Sequence, residues 1–449
     1  MRHNWFLIAA CIACGAISGG GAKAEAKAGA AVAKPAKAPA GKRKKAPAKV
    51  AVVKTSMPAV GFDPEFAVVL AQVLDNSPAV AAAKTDATAA GVDLRAIRWR
   101  RLPTLSVSGS YYGVQGDAPK RLNPNVSVDL VLWNAGRIKG DIERAKASKR
   151  AAEARLLGAQ LDASLVATSL FYELKRLSER TGIIQRNLNE LQSMQDGMSR
   201  RVSQEVSPRS DLELAMTRTL QVKLILEANL AQRRIILQRL REQLQDDNWQ
   251  PLDRRVEIGA KLTSELDDVV GLAEEFDPQR MRLEAEAAIA QADAKATAAG
   301  RFPSVSAQYS YDQIYGHRVG LAVKGQTNGL SEFGLARAAA LRQTAADQRI
   351  DIAERDIRAA VTADYVDYTS AFDRLDLVEN AAATTNGVRD SYVRQFVSGK
   401  RTWLDVMNAM REAMSAQLDA VDVRYMAAQA QVRLMIRMGN MPIEAEGQK

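Results

Sequence analysis

The chain contains the stretch Arg101-Leu102-Pro103-Thr104-Leu105-Ser106, and a similar stretch, Arg301-Phe302-Pro303-Ser304-Val305-Ser306, follows 200 residues later. Two further pairs lie at the same offset: Asn76-Ser77-Pro78 with Phe276-Asp277-Pro278, and Gly136-Arg137 with Ala336-Arg337. An offset kept through three landmarks indicates one structural unit present twice, because independent insertions would have changed it. The unit is far longer than a solenoid repeat, so the sequence predicts a duplicated half.

Each half shows the same order of signals. An Ala-rich helix is predicted from Asp63 to Arg101 and from Asp277 to Arg301. A pair of strands follows, then a very long helix, a tip that contains Gly, Pro, Ser or Thr, and a returning helix. We therefore predict a first repeat over 58–250, a second over 251–440, and a C-terminal tail at 441–449.

Alternating apolar and polar side chains predict strands at 104–114 and 125–133, and at 304–314 and 318–325. Two interpretations compete. In an ordinary antiparallel sheet the apolar face covers a core, whereas in a membrane barrel it meets lipid. Four strands cannot close a barrel, since the smallest have about eight, and open edges are not tolerated in lipid. The membrane interpretation therefore requires several copies, and three copies that supply twelve strands are the simplest closed solution.

The long helices are predicted at 137–206 and 209–245, and at 335–397 and 402–438. From Leu170 onward, apolar residues recur at spacings of four and three, which indicates a coiled-coil seam. No proline interrupts residues 137–207, so at about 1.5 Å per residue this helix would be on the order of 100 Å long. A stripe of Met residues on the last helix, including Met407, Met410 and Met414, is interpreted as core packing rather than as a binding groove.

The first 57 residues carry the whole net charge of the chain. Residues 1–24 predict a secretory signal peptide, with Arg2 before a short apolar stretch and a small-residue cleavage pattern at its end. Residues 25–57 are rich in Lys, Ala and Pro and predict a disordered linker. Together they hold eleven basic residues and one acid, a net charge of +10, which equals that of the chain. The positive net charge of the chain therefore lies in a tail and does not indicate a nucleic-acid-binding face. A lipid anchor on Cys11 or Cys14 is left open as an alternative.

Enzyme chemistry has little support in the composition. The chain has two His residues, His3 and His317, and two Cys residues, Cys11 and Cys14. A zinc site usually needs several His or Cys ligands, and a nucleophilic triad needs a His beside its nucleophile. We therefore predict no enzyme, no cofactor and no metal site. His317 is placed in a short loop, Tyr315-Gly316-His317-Arg318, and is expected to face solvent.

Two stretches resemble the TolC-type outer-membrane efflux and secretion duct family. Leu132-Trp133-Asn134-Ala135-Gly136-Arg137 is similar to the family's strand-to-helix turn. Val397-Ser398-Gly399-Lys400-Arg401-Thr402-Trp403-Leu404-Asp405-Val406-Met407-Asn408-Ala409 is similar to its periplasmic tip, and Ser210-Asp211-Leu212-Glu213-Leu214-Ala215 is a fainter counterpart. The resemblance covers about residues 58–440, and Gly325 to Arg342 is similar to the type I secretion subgroup.

The resemblance implies a mainly α-helical protein with a membrane β-barrel. Its duplicated halves would form a homotrimer, with a 12-stranded β-barrel in the outer-membrane lipid and a 12-helix coiled-coil α-barrel in the periplasm of a Gram-negative bacterium. A periplasmic adaptor (membrane fusion protein) and an inner-membrane ABC or RND transporter would dock at the tip, without nucleic acid or cofactor. Substrates would pass passively, in type I protein secretion or drug efflux. The alternative is a periplasmic coiled-coil adaptor or scaffold protein with no pore.

The resemblance also assigns roles at the tip. Asp405 matches an acid that narrows the entrance and selects cations, and Arg401 matches an Arg that helps to hold the entrance shut. Asn408 stands where a second acid is often found, and Phe396 where a hydrogen-bonding Tyr is expected. Three copies of Asp405 around a narrow axis would form a selectivity ring; the alternative is a surface acid that stabilises a helix start. The predicted adaptor-docking residues are Pro208, Arg209, Ser210, Asp211, Gly399, Lys400 and Thr402.

Overall fold

The computed structural model describes residues 63–112, 121–252, 254–256, 258–259, 261–312, 316–325 and 331–440. The contacts of the chain divide it into Met1–Thr55 and Ser56–Lys449, and all described residues belong to the second unit. The predicted signal peptide (1–24), linker (25–57) and C-terminal tail (441–449) lie outside the described residues, and they stay predictions.

Eight helices and four strands make up the described part of the chain, and their order repeats. The first half contains α1 (Pro64–Asn76), α2 (Pro78–Trp99), β1 (Thr104–Tyr112), β2 (Arg121–Trp133), α3 (Arg137–Ser203) and α4 (Arg209–Leu244). The second half contains α5 (Leu266–Phe276), α6 (Pro278–Ala299), β3 (Ser304–Asp312), β4 (Gly316–Lys324), α7 (Ser331–Val397) and α8 (Trp403–Arg437). The two halves therefore run through the same six elements.

The duplication keeps its offset of 200 residues only as far as the first strand of each half. Helices α2 and α6 and strands β1 and β3 begin at that offset and have equal lengths. Strand β2 has 13 residues and β4 has 9, so the offset changes within the sheet. Helices α3 and α7 both have 67 residues and begin at Arg137 and Ser331, an offset of 194. The pairing of Gly136-Arg137 with Ala336-Arg337 is therefore wrong, and the counterpart of Arg137 is Ser331.

The predicted Ala-rich helix from Asp63 to Arg101 is two helices. Pro78 begins α2 and has no backbone N–H with which to continue α1. The hydroxyl of Ser77 accepts a hydrogen bond from the backbone N–H of Val80 at 3.5 Å and so caps α2. The prediction of one continuous helix is wrong for this reason. The break recurs in the second half, where the side chain of Asp277 caps α6. The short helix α5 that precedes it was not predicted from the sequence pattern.

The four strands form one antiparallel sheet in the order β1-β2-β3-β4. The ladder between β1 and β2 runs from Thr104 opposite Asp129 to Tyr112 opposite Arg121. Strand β2 therefore begins at Arg121, four residues before the predicted start at 125. Among the described strands, β1 and β4 each have one neighbour, so the sheet has two edges.

The polar and apolar faces of the sheet are separated by its register. One row of the polar face consists of Ser106, Ser127, Ser310 and Arg318, and one row of the apolar face consists of Leu105, Val128, Tyr309 and Val319. Leu105 is 67% exposed, Val319 83% and Leu321 72%. The described part of the chain thus leaves much of the apolar face uncovered, whereas an ordinary sheet packs that face on its core.

His317 lies in a strand and not in the predicted loop. Gly316 pairs with Asp312 and begins β4, so His317 stands opposite Tyr311 in the ladder. Its Nδ1 atom is 2.7 Å from the hydroxyl of Tyr309, and its ring centroid is 4.8 Å from that of Tyr311. The side chain is exposed, as expected, but the loop assignment is wrong because β4 begins at Gly316, two residues before the predicted start at 318.

The core lies between the helices. One cluster joins α1, α3, α4 and α8, and in it the rings of Phe66, Phe171 and Tyr172 have centroids 5.3 to 5.6 Å apart. Met407 and Met410 are buried in this cluster, as expected for packing residues. A second cluster joins α5, α7 and α8. Within the described residues no single helix is long and apolar enough to cross a bilayer, and only α1 and α2 taken together, at a bend of 54°, meet the length and composition criteria.

Candidate functional site at the two helix tips

The α3–α4 turn (204–208) and the α7–α8 turn (398–402) have the same backbone. Each turn has five residues, and the two lie at the offset of 194. In the first turn the backbone N–H groups of Gln204, Glu205 and Val206 donate to the carbonyls of Arg200, Val202 and Arg201 at 2.9 to 3.1 Å. In the second turn Ser398, Gly399 and Lys400 donate to Arg394, Phe396 and Gln395 at 2.9 to 3.3 Å. These bonds satisfy the last carbonyls of each outgoing helix.

Helix α8 begins with a capping box formed by Thr402 and Asp405. The backbone N–H of Asp405 donates to Thr402 Oγ1 at 3.2 Å, and the backbone N–H of Thr402 donates to Asp405 Oδ2 at 3.2 Å. The hydroxyl of Thr402 also lies 2.8 Å from Asp405 Oδ2. These hydrogen bonds from Thr402, and secondarily the charge of Arg401, hold the pKa of Asp405 below its ordinary value. The carboxylate is therefore ionised at neutral pH and orders the start of the helix.

The side chain of Arg401, in the α7–α8 turn, packs back against the end of α7. Its guanidinium lies 4.3 Å from the ring centroid of Tyr392, and its Nε donates to Gln395 Oε1 at 3.2 Å. Its contact with Asp405 is longer, at 4.0 Å. The structure thus brings together Arg401 and Asp405, two of the predicted gate residues. Asn408, the third, lies one turn further along α8 and is half-buried.

The aromatic ring of Phe396 contacts residues of both tips. The guanidinium of Arg201, in the last turn of α3, lies 5.1 Å from the centroid of Phe396, and the Phe396 and Trp403 centroids are also 5.1 Å apart. Arg201 Nε donates to Ser207 Oγ at 3.1 Å. The contact is a cation–π interaction, which a Phe can make without the hydroxyl of the expected Tyr. Sequence reasoning missed Arg201, because its partner is 195 residues away and only helix packing brings the two together.

The predicted docking residues lie on the outside of the two turns. Pro208, Arg209, Ser210, Gly399, Lys400 and Thr402 are exposed, and Asp211 is half-buried. At the offset of 194, Asp211 is the counterpart of Asp405, and Pro208 is the counterpart of Thr402. Pro208 makes no side-chain cap, so the first turn lacks the capping box of the second. The two tips therefore share a backbone and differ in the side chains they present.

No family model and no curated protein matches the chain. Its fold matches those of solved outer-membrane channels. The structure of the outer-membrane channel OprN aligns with a TM-score of 0.73 and 17% identity over 84% of this chain and 90% of that one. The Campylobacter jejuni CmeC outer membrane channel aligns with a TM-score of 0.70 and 14% identity over 86% and 88%. The open state of the Neisseria gonorrhoeae MtrE outer membrane channel aligns with a TM-score of 0.66 and 17% identity over 84% and 89%.

The chain therefore has the fold of the outer-membrane channels, and the resemblance to the TolC-type ducts is confirmed at the level of the fold. Identities of this size define the architecture alone, since one fold can support different functions.

Proposed function

We propose that this protein is a homotrimeric exit duct in the outer membrane of a Gram-negative bacterium, extending into the periplasm. The observation that carries the proposal is the uncovered apolar face of the sheet. Val107 is 72% exposed, Leu321 72% and Val323 70%, and they stand opposite a face of Ser, Asn and Gln residues. A strand with one apolar and one polar face fits a barrel wall between lipid and a water-filled interior.

The two sheet edges support assembly into a trimer. In lipid, every backbone polar group must be paired within the protein, yet β1 and β4 each have one described neighbour. Joining β4 of one protomer to β1 of the next, around three copies, would pair both edges and give twelve strands. One protomer can therefore supply a third of the barrel but cannot close it.

Two helices carry apolar stripes that the described part of their own protomer leaves exposed. On α4 the stripe consists of Met216, Leu220 and Leu224. On α7 it consists of Leu341, Ile352, Val366, Leu377 and Val388. The α4 residues are four positions apart and form a contiguous apolar patch, which marks an interaction surface. The α7 residues recur every 11 or 14 positions and therefore share one side of the helix. Neighbouring protomers would cover both sets in a twelve-helix wall. The mixed charges on other helix faces would then line a passive aqueous conduit.

The export system also needs partners at the tips. A periplasmic adaptor and an inner-membrane ABC or RND transporter would dock on the exposed turn residues around Arg209 and Lys400. The duct itself would catalyse nothing, and its cargo, a protein in type I secretion or a drug in efflux, would be set by the pump. Asp405 and Arg401 would form the entrance.

The competing function is a periplasmic coiled-coil adaptor or scaffold with no pore. A soluble sheet would cover its apolar face, so the exposure of Val107 and Leu321 favours the duct. The test is membrane fractionation of a Gram-negative host that expresses the chain, followed by electrophoresis with and without heating. We expect the protein in the outer-membrane fraction as a trimer that dissociates on heating. Recovery as a soluble periplasmic monomer would contradict the duct and favour the scaffold.

A further inference from the structure

Strands β3 and β4 carry a small polar cluster on the apolar face of the sheet. In the ladder Tyr309 stands opposite Val319, and Tyr311 stands opposite His317. Side chains alternate between the two faces along a strand, so these four lie on one face, and the register assigns them to the face of Leu105. Among the described residues of the four strands, this face carries no Asp, Glu, Lys or Arg. His317 therefore introduces a polar ring into a mainly apolar surface.

The cluster lies at the end of the sheet that is farthest from the helices. The strands join the helices at one end only, where β1 and β3 begin and β2 and β4 end. His317 is the second residue of β4, and Tyr311 is the last but one of β3, so both lie at the opposite end. In the proposed duct the helices extend into the periplasm, and the opposite end would meet the lipid headgroups of the outer leaflet. The inference therefore rests on the proposed function.

A hydrogen bond with Tyr309 sets the orientation of the His317 imidazole. Nδ1 of His317 lies 2.7 Å from the Tyr309 hydroxyl. A neutral imidazole carries its proton on one nitrogen and accepts through the other. The hydroxyl has no other acceptor among the described residues, and a hydroxyl left unpaired beside lipid is costly, so it donates to Nδ1. Nε2 then carries the imidazole proton, and no described residue accepts from it.

We propose that the Nε2–H group of His317 binds the phosphate of a membrane lipid in the outer leaflet. The ring is exposed, and phosphate oxygens are charged acceptors at the membrane surface, which makes the hydrogen bond stronger than one to a neutral oxygen. The absence of described carboxylates from this face leaves no negative charge there to repel the phosphate. The ring of Tyr311, with its centroid 4.8 Å from that of His317, packs beside the imidazole. Tyr309 is a positioning residue, because it acts through Nδ1.

The test observes the imidazole directly. Besides His317 the chain has only His3, in the predicted signal peptide, so isotope-labelled histidine reports on very few sites. The full-length protein, purified without a histidine tag, is reconstituted in phosphatidylglycerol vesicles, and solid-state NMR measures the dephasing of its imidazole nitrogen signals by lipid phosphorus. We expect the Nε2–H tautomer and strong dephasing of Nε2, because a bonded phosphate oxygen would lie about 2.9 Å from that nitrogen. The signals that disappear in His317→Gln are those of this residue.

The matched control is His317→Gln/Ala322→His, which moves the imidazole to the polar face of the same strand. Its signals should show no dephasing by phosphorus. Tyr309→Phe should give a mixture of the two tautomers and weaker dephasing at His317, since it removes the hydroxyl that holds Nδ1. Unchanged signals in Tyr309→Phe would contradict its positioning role.

The inference is overturned if the assembled trimer shows no dephasing at His317, or if the control at position 322 is dephased equally. Heat-modifiable migration of the same samples tests the duct separately. A chain that forms no trimer fails as a duct, whereas a trimer without dephasing refutes only the contact with phosphate.

Discussion

Glu205 and Gly399 occupy equivalent positions in the two tip turns and share a left-handed backbone, with φ angles of 60° and 72°. Glycine adopts this conformation at no steric cost, whereas a residue with a Cβ atom is strained there by about 1–2 kcal/mol. The identical hydrogen-bonding pattern of the two turns imposes the conformation in both. The first turn is therefore the more strained of the two.

We predict that Glu205→Gly stabilises the first turn by about 1 kcal/mol and that Gly399→Ala destabilises the second by a similar amount. Hydrogen–deuterium exchange of the turn amides in the purified protein measures both effects. Ser203→Gly, in the last turn of α3, is the control and should speed exchange, since that residue is helical. Faster exchange of the first-turn amides in Glu205→Gly would show that the backbone at Glu205 is not strained.

Thr402→Ala should loosen the first turn of α8, with amide exchange there about fivefold faster at neutral pH. The pH dependence follows from the lowered pKa of Asp405. A carboxylate whose folded-state pKa is depressed stabilises the helix start above its unfolded value, and that stability is lost as the pH falls through the folded pKa. The protection of these amides, which is the exchange rate corrected for its intrinsic dependence on pH, should therefore be lost only below the ordinary Asp pKa of about 3.9. If Thr402→Ala shows the same pH profile as the unaltered protein, the ionisation of Asp405 does not act through the capping box.

Asp405→Asn should weaken the expected preference of the proposed channel for cations and its expected block by multivalent cations. Asn keeps an acceptor oxygen for the backbone N–H of Thr402, so the substitution removes the charge and largely retains the cap. The measurement is the reversal potential in planar bilayers under a KCl gradient. Asp211→Asn, at the counterpart position in the first half, is the comparison. If selectivity and block are unchanged, Asp405 is a capping residue only.

Arg401→Ala should raise the single-channel conductance, because it removes the stacking on Tyr392 and the hydrogen bond to Gln395 that hold the turn. Lys400→Ala removes the same charge from the adjacent exposed residue and should leave conductance near that of the unaltered protein. Equal conductance in all three proteins would show that Arg401 is not a latch.

Leu321→Lys should prevent stable assembly in the outer membrane, because a lysine on the lipid face of a barrel costs about 2–4 kcal/mol near the bilayer midplane. Ala322→Lys, on the opposite face of the same strand, should be tolerated. Outer-membrane fractionation and trimer migration measure both. Equal assembly of the two variants would contradict a lipid-facing role for Leu321.

The sequence predicted the elements well where a local rule governs them. Alternation located the strands, and Pro103 and Pro303 marked the residues just before them. Other features depend on contacts between distant residues. The change of offset from 200 to 194 arises inside the sheet, so the similar residues at 137 and 337, on the following helices, are not equivalent. The Arg201–Phe396 contact could not be predicted either, because it depends on which turns of two helices face each other. At the tip, the resemblance identified Arg401 and Asp405, whereas the capping box of Thr402 and Asp405 is apparent only in the structure.

The equal lengths of α3 and α7, 67 residues each, limit how this chain can evolve. Seven residues inserted into α3 alone would move one tip past the other by about 10 Å and would separate Arg201 from Phe396. We expect growth or shortening to be tolerated only when all four long helices change by the same number of turns. Homologues whose long helices differ in length should therefore differ by coordinated insertions or deletions in both halves.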